Sequence, residues 1–170
     1  MPEICNQRCF YDTAIFEISI NPADHDAPHC EKLLDASLIT WTVIWSELSR
    51  KEAPIEEYLD WLEIRFSLSG TDYFVFSWSD VKLAKRNIQT DLTALENLGL
   101  RRNDASQLAA AYASDATRLI TRDDDFIDPR NKRSRGRKKW PRKYIAVQNY
   151  IRKQLDIEVL FPCQACAELI

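Results

Sequence analysis

The sequence predicts an α/β protein: a three-layer α/β/α sandwich around a mainly parallel sheet of five strands, in one domain spanning residues 1–170. Three observations lead there. Short runs rich in β-branched and aromatic residues alternate with stretches whose apolar residues recur at helical spacing, the order that builds βαβ units. One run, Leu38–Trp45, is almost continuously apolar or β-branched, as suits a parallel strand covered on both faces. With 170 residues, 45% hydrophobic and 29% charged, the chain can bury about 70% of its unfolded surface in a single core, so wholesale disorder is excluded.

The elements follow in order. Cys9–Ile20 is aromatic and β-branched and stops at Asn21-Pro22, which predicts a strand and a turn. Ala27–Ala36 carries helix formers, with Leu33 and Leu34 on one side, and Leu38–Trp45 is the second strand. Pro54–Phe66 places Ile55, Tyr58, Leu59, Leu62 and Phe66 at helical spacing and turns Glu56, Glu57, Asp60 and Glu63 to solvent. Tyr73–Trp78 predicts the third strand. Ser79 is the candidate N-cap of a helix through Val81, Ala84, Ile88, Leu92 and Leu95 that Gly99 ends. Asn103 or Asp104 opens a small-residue helix, Ala105–Ala113, before a fourth strand at Thr117–Thr121. Ile145–Leu155 reads as a helix with Ile145, Tyr150, Ile151 and Leu155 inward, and Ile157–Phe161 as the fifth strand.

Composition narrows the function. The three glycines, Gly70, Gly99 and Gly136, form neither GxGxxG nor GxxxxGK[ST], and no GxSxG elbow is present. No apolar stretch is long enough to cross a bilayer and no signal-peptide core begins the chain, which predicts a soluble cytoplasmic protein. Cys5, Cys9, Cys163 and Cys166 could compose a four-thiolate zinc site by spacing. The topology opposes it, because the first pair precedes or begins strand one and the second follows strand five, at opposite sheet edges. His25 and His29 lack a partner motif and read as surface residues.

Acidic residues recur at the ends of the apolar runs: Asp12 at the first strand, Glu47 after the second, and Asp123-Asp124-Asp125 after the fourth. Asp104 stands where a helix leading into the fourth strand begins. In a parallel sheet the strands' C-terminal ends share one edge, where ligands bind. Acids remote in sequence therefore converge in one cleft, and their mutual repulsion calls for water or a cation to balance them. Oxygen-only donors suit Mg²⁺ or Mn²⁺, and such an ion with its water suits phosphodiester hydrolysis. Taken singly, Asp12 can equally be a turn residue, Glu47 a first-turn acid and Asp104 an N-cap.

The order Tyr11-Asp12-Thr13, Ser46-Glu47-Leu48, Asn103-Asp104-Ala105 and Thr121-Arg122-Asp123-Asp124-Asp125-Phe126 resembles the PIN-domain nucleases, and the VapC-type toxin ribonucleases in particular. The resemblance runs from about Cys9 to Phe126 and resumes at Ile157–Leu169. It implies a sheet of order 3-2-1-4-5 and an Mg²⁺- or Mn²⁺-dependent endoribonuclease acting on single-stranded or structured RNA. Asp12, Glu47, Asp104 and Asp123 would be metal ligands and Asp125 an auxiliary catalytic acid, with Thr13 and Thr121 orienting carboxylates or waters. Asp124 faces the other way in an extended segment. An antitoxin protein and a homodimer partner are implied by the resemblance alone.

One departure from the family is a basic insertion at about residues 129–154, between the fourth and fifth strands. It holds eleven Lys/Arg and no acid, and it leaves 12 basic against 26 acidic residues in the rest of a chain whose net charge is −3. An acidic body with one basic segment calls for a polyanionic partner; a solvated loop is the plain alternative. Arg130, Lys132, Arg133, Arg135, Arg137, Lys138, Lys139, Arg142 and Lys143 would form a mobile cationic arm. Trp140, Tyr144 and Tyr150 interleave with these charges, a combination that fits unpaired RNA. Two other readings stay open: a catalytically weak RNA-binding module, and a non-catalytic interaction protein whose acids hold a structural cation.

Overall fold

A computed structural model describes residues 7–47, 49, 55–77, 88–98, 100, 102–122 and 142–169. Five strands form one sheet: β1 (Arg8–Tyr11), β2 (Thr42–Ser46), β3 (Tyr73–Phe76), β4 (Arg118–Ile120) and β5 (Glu158–Leu160). The order is β3-β2-β1-β4-β5 with every pairing parallel, as expected. The helices are α1 (Thr13–Ser19), α2 (Ala27–Leu33), α3 (Ile55–Ser69), α4 (Ile88–Asn97), α5 (Arg102–Ala113), α6 (Arg142–Tyr150) and α7 (Pro162–Cys166). Among the described residues no helix is long and apolar enough to cross a membrane.

Strand periodicity sorts side chains into two cores. Cys9, Tyr11, Val43, Trp45 and Ile120 face α1, α2 and α3, where they meet Ile15, Phe16, Leu33, Leu59, Leu62 and Phe66. Phe10, Ile44, Phe76 and Leu119 face the other way, onto Leu95, Ala105, Leu108, Ala111, Val147 and Ile151. The small side chains of α5 let its backbone approach the sheet closely.

Several element boundaries differ from the sequence reading. The expected strand Cys9–Ile20 ends at Tyr11, because Asp12 (φ −62°, ψ 149°) starts a helix by accepting the Ile15 amide on its carbonyl at 2.9 Å. Ile15, Phe16, Ile18 and Ser19 are then buried on one helical face, so tertiary burial overrides their β-branched and aromatic character. The second strand starts at Thr42 rather than Leu38, since the Asp35 carboxylate accepts the Ser37 amide and hydroxyl and folds that stretch into a turn. Helix α5 starts at Arg102, which puts Asp104 in the first turn rather than at the cap. Ser79, Val81, Ala84, Trp78 and Gly99 lie outside the described residues.

The helix expected at Ile145–Leu155 forms, with Tyr150, Ile151 and Leu155 against the core as read and Ile145 outside it. The second half of the insertion is thus a core element: α6 runs on as a π-helical segment, Ile151–Leu155, ended by Asp156 at φ 52°. Val147, Ile151 and Leu155 are buried at four-residue intervals, whereas Ile145 points outward and is 46% exposed. Tyr150 is half-buried and packs against this core, the inward contact expected of it. Helix α7 was not anticipated, although its signals are present: Pro162 takes the first position and Gln164 accepts the Phe161 amide at 2.8 Å.

Beneath β1, the buried Tyr11 hydroxyl donates to the Leu33 carbonyl at 2.7 Å and accepts from Trp41 Nε1 at 3.0 Å. Tyr11→Phe strands both of these partners, and each unpaired buried group costs about 1–3 kcal/mol. The variant is expected to lose roughly 2–4 kcal/mol in urea unfolding, against well under 1 kcal/mol for a typical exposed substitution.

Candidate active site at the carboxyl edge of the sheet

Strand order reverses between β1 and β4: from β1 the chain builds outward to β2 and β3, and then returns to add β4 and β5 on the other side. The crevice beyond the C-terminal ends of strands at such a switch point is where open α/β sheets bind ligands. Asp12 follows β1 there and Thr121 follows β4. The Asp12 amide donates to the Ile120 carbonyl at 3.1 Å, and the Thr121 hydroxyl donates to Asp12 Oδ2 at 2.8 Å. Thr121 is fully buried and held by its own amide on the Leu160 carbonyl at 3.0 Å, so it fixes the rotamer of the half-buried Asp12.

Two further acids reach this edge. Glu47 comes directly after Ser46, the last residue of β2, and is half-buried. Asp104 sits in the first turn of α5 and is also half-buried. Helix α5 returns the chain to the start of β4, so its N-terminus lies at the carboxyl edge, where the positive end of the helix dipole favours a carboxylate. Asp123 and Asp125, like Asp124, lie outside the described residues. So do Arg130, Lys132, Arg133, Arg135, Arg137, Lys138, Lys139 and Trp140, while Arg142 and Lys143 occupy the first turn of α6.

The expected supporting residue Thr13 makes contacts that link the segments. Its hydroxyl lies 2.7 Å from Ser49 Oγ and accepts from Gln107 Nε2 at 3.2 Å. Ser49 and Gln107 were missed by the sequence reading. A signal existed for Gln107, which stands three residues after Asp104 and so shares its helix face; none existed for Ser49.

The donor set of Asp12, Glu47 and Asp104 is all oxygen and suits a hard divalent ion. These acids do not compose a compact triplet: among the described residues, three donor atoms within 4.8 Å of one another occur at Asp24, His25 and Asp26. The charge of that second cluster is partly offset. Arg122, next to Thr121, pairs with Asp24 Oδ2 and lies 3.7 Å from Asp26 Oδ2. The Asp26 amide on Asp24 Oδ1, aided by Arg122, holds the Asp24 carboxyl below its ordinary range. The cluster thus fastens the α1–α2 turn to the end of β4.

The cysteines stay apart from this chemistry. Burial pushes the thiols of Cys9 and Cys30 up to about 12, so they remain protonated and poor metal ligands. Cys166 is buried and Cys163 exposed, and no cysteine joins a donor cluster among the described residues.

No protein-family model matches the sequence, and no curated protein matches it. Among solved structures, a chain of the VapBC2 complex from Rickettsia felis, bound to a DNA fragment from its promoter, is similar at 18% identity with a TM-score of 0.48. The match covers 91% of this chain and 98% of that one.

Proposed function

We propose that the protein is a PIN-like endoribonuclease of the VapC kind, hydrolysing phosphodiester bonds in RNA with Mg²⁺ or Mn²⁺. The observation that carries this reading is the hydrogen bond from Thr121 to Asp12 at the switch point, with Glu47 and Asp104 brought to the same edge. Asp12, Glu47, Asp104 and Asp123 would hold the ion, which supplies an activated water and charge stabilisation at the leaving oxygen. Thr121 and Thr13 keep the carboxylates oriented, and Asp125 assists as a further acid. Since the described acids do not form a compact triplet, the ion would keep several of its waters.

RNA affinity falls to the basic residues, since an acidic cleft repels phosphate. Neutralising Lys138, Lys139, Arg142 and Lys143 together is expected to weaken RNA binding. The salt slope should fall by about 0.7 for each phosphate that these cations no longer neutralise. The same reading makes an antitoxin and a second copy of the chain its protein partners and the cytoplasm its compartment.

Metal titration with labelled single-stranded RNA tests the activity. Cleavage should require Mg²⁺ or Mn²⁺, stop with chelator, and vanish in Asp104→Asn and Asp123→Asn. One alternative is an RNA-binding module with weak turnover, in which the basic residues hold RNA and the acids do not assemble a working ion site. Metal-independent binding without cleavage would establish that alternative instead.

A further inference from the structure

We propose that Gln107 and Ser49 are positioning residues of the carboxylate site and act through the Thr13 hydroxyl; this rests on the nuclease reading above. Three acids that must cooperate sit on three separate segments, and their like charges push those segments apart. One hydroxyl joins all three. Thr13 is adjacent to Asp12, its partner Ser49 stands two residues beyond Glu47, and Gln107 lies one helical turn beyond Asp104. The clip is neutral, so it restrains the acids without lowering the negative charge that attracts a cation.

Two details mark it as more than surface hydrogen bonding. Ser49 is 1% exposed although it stands in a connection just beyond a strand end, where a polar side chain would ordinarily face water. Gln107 also buries its Oε1 without a hydrogen-bond partner among the described residues. A buried amide oxygen left over is a cost to the unliganded fold.

The experiment measures Mn²⁺ affinity by titration calorimetry and urea unfolding without metal, on wild type, Gln107→Leu, Thr13→Val, Thr13→Ser, Ser49→Ala and Asp104→Asn. Removing such supporting groups commonly weakens metal binding 10- to 100-fold, and an effect of about that size is expected for Gln107→Leu, Ser49→Ala and Thr13→Val. Thr13→Ser keeps the hydroxyl and should retain affinity within about threefold. Gln107→Leu removes the stranded oxygen with little change of volume, so its metal-free unfolding midpoint should match wild type or exceed it. A purely structural clip would do the reverse, lowering the midpoint and sparing Mn²⁺ affinity, and that result overturns the proposal. If only Asp104→Asn loses the ion, the positioning role fails while the nuclease reading stands. If wild type binds no Mn²⁺, both fall.

Discussion

Asp12→Asn is expected to lower metal-dependent RNA cleavage by about two orders of magnitude or more, the scale on which single charge-stabilising groups act, with the fold left intact. Asparagine keeps an acceptor for the Thr121 hydroxyl, and no capping bond is lost because the Asp12 side chain makes none to α1. The Asp12 backbone bond to Ile120 does not involve the side chain. Removing one negative charge from an edge shared with Glu47 and Asp104 also relieves repulsion, which offsets the weaker hydrogen bond to a neutral acceptor. Single-turnover cleavage beside urea unfolding separates the effects. A variant that cleaves within a few-fold of wild type would remove Asp12 from the chemistry.

The largest stability effect should come from Trp45→Ala, at roughly 3–5 kcal/mol, the range for a large aromatic truncated inside a core. Trp45 is wholly buried on β2 at the centre of an aromatic group. Its ring stacks on Tyr73 at 5.5 Å and 7°, meets Phe16 edge-on at 5.8 Å and lies 6.2 Å from Phe66. Truncation opens a cavity that three neighbouring elements cannot all close. Trp45→Phe is expected to cost no more than about 2 kcal/mol, because the indole N–H finds no acceptor among the described residues and losing it removes a penalty. Equal losses in the two variants, measured by urea unfolding, would contradict this account. Ser46 and Glu47 follow Trp45 directly, so the alanine variant should also lose activity in proportion to its unfolded fraction.

How much of this was legible in the sequence varied with the physics involved. Strand identity and parallel pairing followed from apolar runs alternating with helices, whereas the order 3-2-1-4-5 came only from the resemblance to the PIN-domain nucleases. The convergence of Asp12, Glu47 and Asp104 on one edge followed from topology, since each is placed by an element rather than by its own side chain. Helix α1 was misread because Ile15, Phe16 and Ile18 suit either structure, and only the core that receives them decides. Ile145 was placed inward although Val147, four residues before Ile151, is the one that continues the buried stripe. Gln107 could be placed on the helix face of Asp104, but its meeting with Thr13 and Ser49 could not, because it depends on three distant segments coming within hydrogen-bond range. Such meetings leave no periodic trace.

The connection between β4 and α6 has a consequence for how this protein can change. The chain leaves the sheet at Thr121–Arg122, on the carboxyl edge. Arg142–Leu155 delivers it to the opposite edge, where β5 begins, and that helix is about 20 Å long. Its first turn therefore stands near the edge that the chain left. Residues 123–141 depart and arrive on the same side of the molecule, and the cost of closing such a span grows only by about 0.6 kcal/mol for each doubling of its length. In the proposed nuclease that span would carry Asp123 and Asp125 at its start and the basic residues after them, so only the part beyond the acids is open to changes of charge and length. Under that reading, substrate preference would change through the basic residues while the strands and helices on either side keep their packing.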